Sequence, residues 1–477
     1  MDNKCARQSP VLNDRRSSRR ILELSLACSI FGGFFFAPFS APGASSAPSL
    51  TAAMPDTGPR GLEAQAQPEP ALWIRLSDCG PATIPGACNS LPDLVVEVDG
   101  STELSAAHTI HIQVGDLETQ CLGQSCAIAL EETSLEGVES SFWMEPTDTS
   151  RPTVYTATLR VIPAEAPPGE DSPSWFVQVL SSQWTGDPID ACAVAWDTFP
   201  PLGSAPAWLA TPEEYPALAS EIVYHHLAAE LITRGGVVAS ACPDGGLIDP
   251  DTPSACGVET AIPHVLEWQN RFDPAILDAA RAAGIPAGLV KRLIAEESQF
   301  WPGSILERGE YGLGHLTEAG ADNTLLWNPS LYFELCPTVL GEAYCGRGYS
   351  QQSTDRRAML RGALVASVDA DCPECDLGVD LDVAAEGIFT AAQALRAYCS
   401  QTGRMMANVS GDHPGQTTTY EDMWRFTLAG YAAGPGCLAD ALRQAWRRGR
   451  VLTWEAVSAN LSSSCTGAID YAEDISR

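Results

Sequence analysis

Ile285-Pro286-Ala287-Gly288-Leu289-Val290-Lys291-Arg292-Leu293-Ile294-Ala295-Glu296-Glu297-Ser298-Gln299-Phe300 reads as an amphipathic helix that carries a carboxylate on its apolar face. With Leu293 at zero on a wheel of about 100° per residue, Leu289, Val290 and Ile294 spread around a centre near about +30°. Glu297 falls at about +40°, inside the apolar stripe, and Glu296 at about −60°, on its shoulder. A carboxyl group withheld from water has a raised pKa and can keep its proton near neutrality. Glycoside cleavage asks this of the group that protonates the leaving oxygen. The plainer alternatives are a helix-end side chain turned to solvent, or an ion pair between Glu297 and Arg292.

Outward from this segment the chain is mostly helical. Asp273-Pro274 predicts a helix start, with a capping residue and a proline at the first position, and Gly284 predicts its end. Further helices are expected at about 382–401 and 420–432. Upstream, residues 201–262 are rich in Pro, Gly and Asp and read as a linker with one helix, over Pro216 to Thr233. Cys242 and Cys256 are placed to staple a loop there. Between about 72 and 197 the period changes to two, as in Leu72-Trp73-Ile74-Arg75-Leu76 and Thr153-Val154-Tyr155-Thr156-Ala157-Thr158-Leu159. Short alternating runs separated by turn residues predict a β-sandwich. The expected fold class is therefore multidomain α+β, an all-β sandwich-like domain over 71–200 followed by a mainly α domain over 263–477.

The N-terminal residues read as a targeting segment. Arg15, Arg16, Arg19 and Arg20 precede a nearly continuous apolar run from Ile21 to Phe39, and small residues follow. That order predicts a secretory signal peptide over 1–47, with a retained membrane anchor as the alternative. Residues 48–70, rich in Pro, Ala and Gly, read as a linker. Sixteen cysteines occur, and Cys5 and Cys28 lie in the targeting segment. The even remainder, in an exported chain, predicts disulfides and a location outside the cytosol, in the cell wall, the periplasm or the medium. Cys372-Pro373-Glu374-Cys375 has redox or zinc spacing, but no second matching pair and no nearby His accompanies it. No metal is expected there, and disulfides to other cysteines are.

Formal net charge is −32, and residues 1–47 hold six basic but only three acidic residues, so the remainder is more acidic still. Lys291 is its only lysine. Nucleic acid and anionic membrane surfaces both select cationic faces, so neither is an expected partner; membrane association would require the N-terminal anchor. An uncharged sugar backbone is compatible with such a surface.

Three short motifs, in order, resemble the soluble, lysozyme-like lytic transglycosylases, and more distantly the goose-type lysozymes. They are Glu297-Ser298-Gln299-Phe300, against the family's Glu-Ser-x-Phe; Tyr311-Gly312-Leu313-Gly314-His315-Leu316-Thr317, against its Gly-Leu-Met-Gln segment; and Gly430-Tyr431-Ala432-Ala433-Gly434-Pro435-Gly436, against Ala-Tyr-Asn-Ala-Gly-Pro-Gly. The resemblance covers roughly residues 270–450. It implies that Glu297 is general acid and then base, that Tyr431 holds that carboxyl by a hydrogen bond, and that Ser298 supports it. It implies also that Gly312 and Leu313 line the sugar groove, with His315, Ala433 and Gly434 beside the substrate. His315 stands where the family has Gln, Gly314 where it has Met, and Ala432 where it has Asn.

The implied substrate is the peptidoglycan glycan strand, cut between N-acetylmuramic acid and N-acetylglucosamine with formation of a 1,6-anhydro sugar. No metal or cofactor is implied. Two alternatives stand beside this: a hydrolytic lysozyme, for which Glu307, Glu310 and Asp322 are candidate second acids, and a non-catalytic wall-binding protein that keeps the fold.

Overall fold

The computed structural model describes residues 72–80, 87–99, 108–146, 151–164, 174–186, 189–202 and 205–477. The proposed targeting segment 1–47 and the linker 48–70 lie outside the described residues.

A region of antiparallel sheet precedes a mostly helical C-terminal part. The strands are β1 (Leu72–Leu76), β2 (Asp93–Val98), β3 (His108–Val114), β4 (Leu117–Gly123), β5 (Ser125–Ala129), β6 (Val138–Met144), β7 (Tyr155–Ala164) and β8 (Ser174–Leu180). They form a three-stranded sheet, β1-β2-β5, and a five-stranded sheet, β4-β3-β6-β7-β8. Alternation decides which face is covered: Leu72 and Ile74 are buried, while Trp73 between them is exposed. Leu94, Val96, Ile110, Ile112, Phe142 and Leu159 come from both sheets and share one core. β4 escapes a period-two reading because it is an edge strand with no buried residue. The Cys121–Cys126 disulfide ties it to β5 in the other sheet.

Residues 201–262 depart from the expected linker. Trp208, Leu209, Leu227, Leu231, Val237 and Ala261 belong to the main helical core. The expected helix Pro216 to Thr233 is two pieces, a 3-10 turn at Tyr215–Leu218 and a helix at His225–Thr233. The chain between them meets its backbone needs elsewhere: Gln269 Nε2 donates to the Ser220 and Ile222 carbonyls, and Asn270 Oδ1 accepts from the Ser220 amide. Side chains that satisfy a backbone remove the reason to continue a helix. The helical part also begins before residue 200. The helix Ala191–Trp196 is bonded to the long helix Leu381–Ser410 by Cys192–Cys399, and Trp196 Nε1 donates to the Cys399 carbonyl at 2.9 Å.

The helix Ala287–Ser298 lies across this core with Leu289, Val290, Leu293 and Ile294 fully buried. Gly288 permits the approach, since a Cβ there would stand 2.6 Å from the Ala207 carbonyl oxygen. The preceding helix, Asp273–Ala283, ends as expected at Gly284 in the left-handed conformation. Asp273 is a buried anchor rather than a solvent cap: Lys291 Nζ pairs with its Oδ1 at 2.6 Å and with Asn270 Oδ1 at 2.9 Å. Burial holds the Lys291 ammonium below its ordinary pKa and the Asp273 carboxyl above its own. Arg292 does not pair with Glu297; its Nη1 donates to the carbonyls of Ile475 and Arg477 and holds the C-terminal helix Gly467–Ser476. A satellite core around Leu325, Tyr332, Leu360 and Leu364, stapled by Cys336–Cys345, occupies the interval between the second and third motifs.

All fourteen cysteines of the described residues are paired, in seven disulfides, as an oxidising compartment allows. Cys372 bonds Cys375 rather than a distant cysteine, and Cys242 bonds Cys256 as expected. No described helix is long and apolar enough to cross a membrane.

Asp190 yields a stability prediction. Its buried carboxylate accepts from the Cys192 amide at 2.7 Å and from the Tyr420 hydroxyl, and burial pushes its pKa up to about 6. Unfolded, it titrates near about 3.9, so its contribution to stability is present below that value and is lost as pH rises through the folded value. Wild type should lose about 2–3 kcal/mol from this group between about pH 4 and 7. Urea unfolding at both pH values should show that Asp190→Asn, which keeps an acceptor oxygen for the Cys192 amide and cannot ionise, flattens the loss; equal slopes in the two proteins would refute it.

Candidate functional site

Glu297 is the penultimate residue of its helix, and its side chain is 16% exposed. The helix stops abruptly: Gln299 and Phe300 both take positive φ, 48° and 65°. Such backbone costs of order 1–3 kcal/mol per non-glycine residue and persists only where contacts over-determine it. Here Phe300 is fully buried, its carbonyl accepts from Trp268 Nε1 at 2.9 Å, and Gln299 Oε1 accepts from the His226 amide at 2.9 Å.

Both oxygens of Glu297 are addressed. Tyr471 Oη, from the C-terminal helix, donates to Oε1 at 2.5 Å. His315 Nδ1 lies 3.4 Å from Oε2. The expected hydrogen bond from Tyr431 is not the one formed: Tyr431 Oη donates to the Gly314 carbonyl at 2.8 Å. Tyr431 thus holds the backbone beside His315, and Tyr471 holds the acid. Ser298 is buried and spends its hydroxyl on the Ile294 carbonyl, one turn back, at 3.1 Å.

The second motif closes a tight turn. Tyr311 and Leu316 bridge, the His315 amide donates to the Gly312 carbonyl at 3.1 Å, and His315 has φ 45°. Gly312 and Leu313 do not line a groove. Leu313 is fully buried in the main core, and the open space at Gly312 is taken by protein: with φ +63°, its Cβ would stand 2.4 Å from the Val368 carbonyl oxygen. Ala433 and Gly434 form the junction between the helices Tyr420–Ala433 and Pro435–Gly449, with Gly434 at φ 84°.

The electrostatics favour hydrogen-bond donors around the acid. Burial first, and the Glu297 charge next, raise the hydroxyls of Tyr471 and Tyr431 well above the ordinary tyrosine value and push Tyr398 up to about 12. All three therefore stay protonated at physiological pH. Burial also raises Glu310, against His315 and Arg308, which lower it. Burial lowers the His226 imidazole; nearby Glu230 and Asp251 oppose that, and His315 and Arg308 add to it.

Of the three candidate second acids, only Glu310 joins the site, with its Oε2 3.8 Å from His315 Nδ1. Glu307 is exposed, and Asp322 is engaged by the Tyr349 hydroxyl and by Arg361 Nη1 in the satellite core. The residues that sequence reading missed are Tyr471 and His226. Neither sits in a motif, and nothing local marks them; the fold alone brings them to Glu297 and to Gln299.

Chemically, the cluster presents one carboxyl group with one oxygen anchored and the other facing an imidazole. That arrangement can donate or accept a proton at a bound oxygen atom. Gly312→Ala should lower stability by about 1–3 kcal/mol, through positive φ and collision with Val368. Thermal unfolding checks this, and an unchanged midpoint would contradict the packing described.

No protein-family model, curated protein or solved structure matches the chain.

Proposed function

We propose that this protein is an exported lytic transglycosylase that cleaves the glycan strand of peptidoglycan, with Glu297 as its acid and base. The observation that carries the reading is the environment of Glu297, a half-buried carboxyl with a tyrosine on one oxygen and an imidazole against the other. Seven disulfides and a strongly acidic chain accord with a protein that works outside the cytosol on a polymer other than nucleic acid.

In this reading Glu297 protonates the oxygen between N-acetylmuramic acid and N-acetylglucosamine through Oε2. Tyr471 keeps Oε1 occupied, which leaves Oε2 as the working oxygen. As the bond breaks, positive charge grows at the anomeric carbon and negative charge at Glu297. The substrate's N-acetyl group meets the first; the Tyr471 hydroxyl and the His315 ring meet the second. The muramic acid 6-hydroxyl then attacks the anomeric carbon, and its proton returns to Glu297. No water is consumed, and the product ends in a 1,6-anhydro sugar.

Purified peptidoglycan, digested and analysed by mass spectrometry, tests this. Wild type should release 1,6-anhydro muropeptides. Glu297→Gln should reduce release by about 10²–10⁴-fold, the range for removing a general acid. Tyr471→Phe, which leaves the acid but frees its anchored oxygen, should cost about tenfold to a hundredfold. Equal release by wild type and Glu297→Gln would reject the assignment, and reducing ends in place of anhydro ends would reject the transglycosylase outcome.

A further inference from the structure

Glu310 is unexplained by the chemistry above. It ends a short hairpin whose backbone is fixed, since the Ile305 amide donates to the Glu310 carbonyl at 2.8 Å and the Glu310 amide to the Ile305 carbonyl at 3.3 Å. Its side chain is 20% exposed, and its Oε2 is buried without a hydrogen bond. Arg308 Nε lies 3.2 Å away, yet not in hydrogen-bonding geometry. The other group facing that oxygen is His315 Nδ1, at 3.8 Å, and the same nitrogen stands 3.4 Å from Glu297 Oε2.

One ring nitrogen is thus bracketed by two carboxylate oxygens. A lone pair on Nδ1 would be repelled by both, whereas a proton there is attracted by both. We propose that Glu310 is a positioning residue that acts through His315, holding the imidazole in its Nδ1–H tautomer with that proton aimed at the working oxygen of Glu297. The role builds on the reading of Glu297 as the glycosidic acid. During a turnover Glu297 alternates between carboxylic acid and carboxylate. While it holds its proton it attracts Nδ1–H less, and a ring with no other partner could change tautomer or turn away. Glu310 is the constant second negative charge that attracts the Nδ1 proton until Glu297 becomes an anion. A base oriented by a third group is a recurring device in catalysis. Tyr471 remains on the opposite oxygen, Tyr431 fixes the backbone through the Gly314 carbonyl, and Arg308 and His226 are the cationic or titratable neighbours around the pair.

The tautomer can be read directly from imidazole ¹⁵N shifts in labelled full-length protein, with the His315 signal assigned by its loss in His315→Gln. Wild type should show Nδ1–H. Glu310→Leu should move His315 toward Nε2–H, whereas Glu310→Gln, which keeps an acceptor oxygen, should not. Kinetics on peptidoglycan should show about a 10–100-fold lower kcat for Glu310→Leu with KM unchanged, and substantial recovery in Glu310→Gln. In a His315→Gln background, Glu310→Leu should cost nothing further. Thermal unfolding of each variant separates loss of fold from loss of position. A wild-type Nε2–H tautomer, a tautomer indifferent to Glu310→Leu, or an undiminished loss in the His315→Gln background would overturn the proposal. Full activity in Glu297→Gln would instead sink the catalytic reading and leave the tautomer result standing.

Discussion

A carboxyl group drawn away from water must find partners for its oxygens, because an unpaired buried charge costs more than one residue's packing can return. At Glu297 the partner on Oε1 is Tyr471, six residues from the end of the chain. That contact requires the C-terminal helix to dock on the Glu297 helix. The docking is secured on three sides: by Arg292 reaching the last carbonyls, by Arg425 Nε donating to the Ser476 hydroxyl, and by Cys437–Cys465 just ahead of the helix. The site is therefore assembled from segments far apart in sequence, which have to meet before the acid has its partners.

The scaffold beneath is built for rigidity. Lys291 and Asp273 form a buried ion pair that locks the Glu297 helix to its predecessor, and their opposing pKa shifts reflect burial working against both charges. Such a pair contributes little net stability but penalises any register in which one partner is left alone. Around it, Trp268 stacks on Trp301 and bonds the Phe300 carbonyl, which secures the positive-φ turn behind the acid. The Val368 carbonyl fills the space at Gly312, so the satellite core braces the turn that carries His315.

What could be read from sequence divides by physical range. The Glu297 stripe, the Gly284 stop and the alternation in β1 are local periodicities, and each appears in the structure where pattern places it. The linker reading of 201–262 failed because Pro, Gly and Asp report backbone irregularity and not exposure; Trp208 and Leu227 are core. Leu313 looked like a groove residue only through the motif that contains it, and its apolar side chain packs inward. Tyr471 was invisible, since a tyrosine in a terminal helix carries no sign of a partner that is 174 residues away. Glu310 was visible as a charge but not as a buried one, because burial depends on how the hairpin folds over His315.

The most direct test is a crystal structure of the Glu297→Gln protein with a bound peptidoglycan glycan fragment. A glycosidic oxygen should lie within about 3 Å of the residue 297 side chain, on the side facing His315, with Tyr471 still bonded to the opposite atom. A glycan seated elsewhere on the molecule, leaving that side chain without sugar contact, would contradict the account.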